Sequence, residues 1–197
     1  LSDGLFSSIE FGIPTMSSTE GSLSAEKRES ESTQLHKRSA PKCLIVGILT
    51  VSDTRTLESD EGGRLIEQYL VSAGHSVKER IIVRDERELI SQSARDLLAL
   101  DGVQALLVTG GTGLSARDQT TEGIEMLYDA VIPGYGELFR MLSFQEIGSS
   151  AMLSRASAGR HGTQIIITMP GSPAGVRLAM ERLILPELAH LVHHAGN

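Results

Sequence analysis

Three stretches of this chain are apolar almost without interruption and rich in β-branched residues: CLIVGILTV (Cys43–Val51), ALLVT (Ala105–Thr109) and QIIIT (Gln164–Thr168). A strand with one wet face alternates polar and apolar residues. An unbroken run instead predicts a strand covered on both faces, and such strands belong to parallel sheets sandwiched between helices. The intervening sequence supplies those helices. In EGGRLIEQYLVSAG, Leu65, Ile66, Tyr69 and Leu70 share one helical face, and Gly74 supplies the stop. In DERELISQSARDLLALDG, Leu89, Ile90, Ala94, Leu97 and Leu98 recur at helical spacing before Gly102. SVKERIIV reads as a further strand. After QIIITMPGSP, Ser172 caps the next helix with Pro173 at its first position, where a missing N–H costs nothing. Alternation of this kind predicts a single α/β domain: a mostly parallel sheet, Cys43–Val51 central, with helices on both faces.

The 197 residues, 40% of them hydrophobic, suffice for one good core. A formal net charge of −7 argues against a nucleic-acid or anionic-membrane surface, which needs clustered Lys and Arg to displace counterions. Cys43 is the only cysteine, so no internal disulfide and no cysteine-based zinc site is expected, which suits a reducing cytoplasm. The longest apolar run falls far short of the about 20 residues that span a bilayer. Residues 1–40 differ in kind from residues 41–197. They are crowded with Ser, Glu, Lys and Arg, and their few apolar residues have no period, so a disordered tail is expected there. Met16 opens the polar tract and is a candidate translation start.

Ligands of such sheets sit beyond the carboxyl ends of the strands. This places TVSDTR, TGGTGLSARD and TMPGSP on one rim. Glycines let backbone N–H groups approach a ligand closely, and the N–H groups that open a helix carry partial positive charge, so the rim suits phosphate. The plain alternative is that these glycines only make tight turns. No Gly-Lys occurs, which removes a Walker A loop. Gly111, Gly113 and Ala116 match the weak dinucleotide pattern G-x-G-x-x-A, but after the third strand and with Asp118 only two residues on. No G-x-S-x-G elbow is present. Asp118 beside an anion-attracting loop would repel a polyphosphate unless a cation stood between them, and Mg²⁺ is the usual bridge. Asp85, just after the second strand, falls on the same rim. The plain alternative for both is a helix cap: Asp85 on ERELI, Asp118 on TTEGIEML.

TGGTGLSARDQT, with TVSDTR, PGYGELFRMLSFQEIGSSAMLSRASAG and MPGSPAG in this order and spacing, closely resembles the MoaB/Mog-type molybdenum-cofactor biosynthesis family. The resemblance runs from about Cys43 to His190, and the stretch from Phe139 to Ser143 leans toward the MoaB branch. It implies a Rossmann-like three-layer αβα domain, cytoplasmic, assembled as a homotrimer or as a hexamer built from trimers. It implies a molybdopterin adenylyltransferase: ATP and Mg²⁺ convert molybdopterin into molybdopterin-AMP and pyrophosphate, ahead of metal insertion. The downstream metal-insertion protein is then a further partner.

Carried over residue by residue, the family's two essential acidic positions match Asp85 and Asp118, which would also be the Mg²⁺ ligands. Gly110, Gly111, Thr112 and Gly113 would bind the ATP phosphates, with Ser52 and Asp53 shaping the nucleotide pocket and Pro170, Gly171 and Ser172 completing the rim. Pro133, Gly134, Tyr135, Gly136, Glu137, Ser154 and Arg155 match segments that line the pterin pocket. The terminal phosphate of molybdopterin is already anionic, so no general base is obligatory, and catalysis would rest on alignment and charge neutralisation. Some MoaB-branch members lack the acidic pair; this chain keeps both. Two other readings stand beside this one: a catalytically silent molybdopterin-binding or scaffold homologue, and another nucleotide phosphate-ester enzyme on the same fold.

Other conspicuous residues have simpler readings. His190 and His194 are spaced i, i+4 but lack a third ligand, and histidines near a helix C-terminus are already favoured by its dipole. Pro186 is expected to kink or divide the last helix. FRMLSF fits a subunit contact and a cofactor pocket equally well.

Overall fold

The computed structural model describes residue 41 and residues 43–197; the tail expected over residues 1–40 lies outside the described residues. Its six strands are β1 (Ile45–Val51), β2 (Ser76–Val83), β3 (Ala105–Thr109), β4 (Ala130–Val131), β5 (Ala158–His161) and β6 (Gln164–Met169). They form one sheet in the order β2-β1-β3-β6-β5-β4. The first four positions are parallel, and β5 pairs antiparallel with both β6 and β4. The three apolar runs are thus the three inner parallel strands, and every residue of β3 is buried. The antiparallel extension is what the sequence does not announce: β5 reads AGRH and β4 is two residues long, too short for any periodicity to register.

Helices α1 (Glu61–Ser72), α2 (Arg87–Leu98), α3 (Thr120–Glu125) and α4 (Pro133–Ile147) are followed by α5 (Pro173–Ala179) and α6 (Leu185–Ala195). Two buried clusters, one on each side of the sheet, make the fold three-layered. One packs Ile66 and Leu70 of α1, Phe139 of α4 and Leu188 of α6 against Val46, Ile48, Leu107 and Ile167. The other packs Ile90, Ala94 and Leu97 of α2 and Ile124 of α3 against Leu49, Leu106, Val108 and Ile166. Leu89 departs from the expected core face and is 39% exposed. Gly74 takes φ +85° just past α1, as its stop requires, whereas α2 ends at Leu98 and Gly102, at φ +78°, turns the chain into β3. Pro186 divides the last helix: a π turn over Met180–Ile184 absorbs the misfit between α5 and α6.

The crossover through α1 sends β1 to β2 on one side and that through α2 sends β2 past β1 to β3 on the other, so the strand order reverses between β1 and β3. The loops that leave their carboxyl ends diverge toward opposite faces. Open parallel sheets hold their ligands at such a place.

Candidate active site

The loop after β3 begins with two glycines in the left-handed region, Gly110 at φ +93° and Gly111 at φ +59°. Both are also sterically obligatory. A Cβ on Gly110 would stand 2.3 Å from the Val51 carbonyl oxygen; on Gly111 it would stand 2.3 Å from Thr120 Oγ1 and 2.4 Å from Asp85 Oδ2. On Gly113 it would meet Asp118 Oδ2 at 2.6 Å. Each of the two acidic side chains therefore lies directly on a glycine of the loop. The Gly110 N–H donates to Met169 O at 3.2 Å. Among the described residues, the N–H groups of Gly111, Thr112 and Gly113 donate to no protein acceptor, so they remain available to an anion.

Neither acid caps its own helix. Asp85 is buried, and its Oδ1 accepts the Gln119 N–H at 2.7 Å, tying the end of β2 to the start of α3, while Glu86 occupies the cap position of α2 without a side-chain bond. Asp118 Oδ2 accepts the Ser115 N–H at 2.9 Å and closes its own turn. Burial pushes the Asp85 carboxyl above its usual value, the Gln119 N–H opposes this, and the charges of Asp118 and Asp53 add to the rise. Asp53, in contrast, is held down at about 2, first by the hydrogen bonds of Arg117 and then by the N–H of Asp85. Thr120, fully buried between Gly111 and Asp85, has an Oγ1 with no hydrogen-bond partner.

The other rim residues build the loops. The Ser52 hydroxyl accepts from the N–H groups of Thr54 and Arg55 at 3.3 and 3.2 Å. The Pro170 carbonyl accepts from the Thr109 hydroxyl at 3.1 Å, and Gly171 comes so close that its Cβ would lie 3.0 Å from Gly110 Cα. Ser172 caps α5 through the Gly175 N–H, as expected. Arg55 ties the first loop to the last by donating to Gly171 O at 3.2 Å.

Beside the loop lies a cavity of about 450 Å³. Of the expected pterin residues it is lined by Pro133, Gly136, Glu137, Ser154 and Arg155. Arg140 of the FRMLSF stretch adds charge to it, as do Glu125 and, with its hydroxyl, Thr121, neither of which any motif singled out. Gly134 is not in this lining, and Tyr135 points into the core, where its hydroxyl donates to Thr168 O at 3.2 Å and burial pushes its phenol far up. Tyr135 is a structural residue, oriented inward because the first turn of α4 must cover the sheet. Gly136 has a steric reason: its Cβ would meet Ala156 O at 2.6 Å. Arg155 joins the two halves of the site. Its Nε donates to Thr112 O at 3.1 Å, its Nη2 to Asp118 O at 3.0 Å and its Nη1 to Glu122. Three of its five donors are thus spent on holding the glycine loop and α3 against the cavity wall.

FRMLSF splits between roles. Phe139 and Ser143 are buried, Arg140 lines the cavity, and Met141 and Phe144 are 52% and 61% exposed. His190 and His194 bond to each other through Nε2 at 2.9 Å, with His190 Nδ1 on Glu187. Among the described residues no group of three or more His, Cys, Asp or Glu side chains could hold a metal ion, and no helix is long and apolar enough to cross a membrane.

A parallel sheet with an anion-ready glycine loop at its switch point and a charged cavity beside that loop defines a small-molecule binding domain of the α/β class. The model of the family described as a probable molybdopterin binding domain matches residues 47–190. Molybdenum cofactor biosynthesis protein B of Bacillus cereus is 48% identical over 157 residues, covering 79% of this chain and 93% of the relative. A crystal structure of a molybdenum cofactor biosynthesis protein B, also 48% identical, superposes with a TM-score of 0.77 over 79% of this chain and 98% of its own. The tungsten cofactor synthesizing protein MoaB from Pyrococcus furiosus is 32% identical, with a TM-score of 0.72 over 80% of this chain and all of its own. The chain belongs to the MoaB family of molybdenum cofactor biosynthesis proteins.

Proposed function

We propose that this protein is a molybdopterin adenylyltransferase. The observation that carries the reading is the pairing of two sites through one side chain: Arg155 lines the cavity and also grips Thr112 and Asp118 in the loop whose N–H groups have no acceptor. A triphosphate on the Gly111–Gly113 N–H groups and a pterin in the cavity would bring their phosphates together beside Asp118. An oxygen of the terminal molybdopterin phosphate then attacks the α-phosphorus of ATP, the bond from that phosphorus to the bridging oxygen breaks, and pyrophosphate leaves. The chain's own groups align the two anions and neutralise charge, and no proton need be removed from the nucleophile.

The donors at the loop fit Mg²⁺. Asp85 and Asp118 are hard oxygen ligands, and Mg²⁺ is commonly held by one or two carboxylates plus substrate phosphates rather than by an all-protein cage. Such an ion would screen the phosphates from the two carboxylates. The unpartnered Thr120 hydroxyl beside Asp85 is a further oxygen for that ion or for its water. We further read the protein as a cytoplasmic homo-oligomer, a trimer or a hexamer, that hands its product to the metal-insertion protein. Leu138, Met141, Phe144 and Ile147 along α4, with Met152 and Leu153 beyond it, are each 47–78% exposed. A run of exposed apolar side chains like this suits a contact between copies.

The test is formation of molybdopterin-AMP and pyrophosphate from ATP, requiring molybdopterin and Mg²⁺, with Asp118→Asn as the comparison. Turnover should be abolished in the variant with pterin affinity largely kept, because the change removes charge but little volume. Binding of molybdopterin without any adenylyl transfer by the wild type would establish the silent homologue instead.

A further inference from the structure

The ion pair between Arg117 and Asp53 links the loop after β3 to the loop after β1. Arg117 Nε and Nη2 donate to Asp53 Oδ2 and Oδ1 at 2.6 and 2.7 Å, and Asp53 Oδ1 also accepts the Asp85 N–H at 3.1 Å. The side chains are 56% and 34% exposed, so solvent reaches the pair and it is easily exchanged. Arg117 is carried on the same loop, four residues beyond the free N–H groups of Gly111–Gly113. Without it, an incoming polyphosphate would meet the carboxylates of Asp53, Asp85 and Asp118, with Glu86 close by.

We propose that Arg117 is an exchangeable counter-ion for the nucleotide. With no nucleotide bound it neutralises Asp53; when a nucleoside triphosphate binds, its fork leaves Asp53 for the β- and γ-phosphate oxygens, the part that departs as pyrophosphate. A guanidinium pairs with phosphate oxygens through the same two parallel N–H bonds that it makes to a carboxylate, and a triphosphate presents more charge than one carboxylate does. Arg84 lies close enough to act on the charge of Asp53, so the exchange does not leave that carboxylate without a cation. The inference deepens the adenylyltransferase reading and rests on it.

Affinity for nucleotide, measured calorimetrically in EDTA and without molybdopterin, tests it independently of turnover. Arg117→Ala should weaken ATP about tenfold, the usual cost of a lost charge-assisted contact, and change AMP less than about twofold, since AMP lacks the β- and γ-phosphates. Asp53→Asn keeps an oxygen for the Asp85 N–H but releases Arg117. It should tighten ATP about fivefold in the wild-type background and leave it nearly unchanged in Arg117→Ala, a coupling that a double-mutant cycle isolates. Equal losses for ATP and AMP, or the same Asp53→Asn gain in both backgrounds, would overturn the exchange while leaving the nucleotide site standing. A wild type that binds neither nucleotide would overturn the adenylyltransferase reading together with it.

Discussion

The Asp85 carboxylate rests on the Cα of Gly111: a methyl group there would stand 2.4 Å from Asp85 Oδ2 and 2.3 Å from Thr120 Oγ1. The glycine of the anion loop and the acid that follows β2 are thus two halves of one packing arrangement. If only the ligand contact required glycine, the expectation at Gly111 and Gly113 would be that an alanine is tolerated or even slightly stabilising. The structure reverses that expectation, because at both positions the added Cβ would collide with a carboxylate, and Gly111 also has φ +59°.

Gly111→Ala should therefore lose stability and nucleotide affinity together. A side chain forced into the left-handed region against two buried oxygens is expected to cost about 2 kcal/mol or more. Gly134→Ala is the control, since nothing lies within 4 Å of its Cβ and it sits in the first turn of α4; it should gain up to about 1 kcal/mol from helix propensity. Urea unfolding of both variants checks this, and a Gly111→Ala protein as stable as wild type would contradict the packing argument.

Asp85→Asn should trade activity for stability. Burial raises the Asp85 carboxyl above its unfolded value of about 3.8. The proton therefore binds more tightly in the folded chain, and the group's favourable contribution is fully present below the unfolded pKa and lost as pH rises through the folded one. At pH 7 the wild type bears the full cost of an ionised, buried Asp85. Asparagine keeps the oxygen that accepts from Gln119 and brings an N–H that Thr120 Oγ1 can accept. The variant should melt higher than wild type at pH 7, with the difference shrinking toward pH 4 and below, while the proposed adenylyl transfer disappears. A variant that melts lower at pH 7 would show that the carboxylate is not strained by its burial.

Arg155→Ala should damage the glycine loop and the adjoining cavity at once, and with them both proposed binding sites. It removes three donors, and their partners lie on the glycine loop and α3. Loss of charge-assisted bonds of this kind is expected to cost about 1.5–3 kcal/mol, toward the lower end because Glu122 is 40% exposed. Both ATP and molybdopterin affinities should fall. Isothermal titration with each ligand separately would show the opposite pattern, a loss for molybdopterin alone, if Arg155 were only a pterin ligand.

If copies of the chain meet on the exposed apolar face of α4, as proposed, charge there should separate them without unfolding them. Met141→Glu with Phe144→Glu alters two exposed side chains and leaves the buried Phe139 and Ser143 in place. Light scattering should report a smaller particle than wild type, with unfolding still cooperative. An unchanged mass would remove this face as the contact.

What the residues dictated directly was the layered framework. Continuous β-branched runs at β1, β3 and β6 can be satisfied only by strands covered on both faces, and helical periodicity in α1 and α2 supplies the cover. Because ligand sites of such sheets follow from strand direction, the rim loops and both acids were legible as well. The short antiparallel pair β4–β5 was not, since strands of two and four residues carry no pattern and exist only because β6 offers an edge. Tertiary structure alone decided the fate of individual side chains. Tyr135 turned inward to a carbonyl of β6, Asp85 bonded across to Gln119 rather than capping its own helix, and Arg117 found Asp53 64 residues away. Periodicity and composition act over a few neighbouring residues, whereas a hydrogen bond or ion pair between loops is set by where two strand ends meet in the sheet, and that distance is fixed only once the whole sheet has assembled.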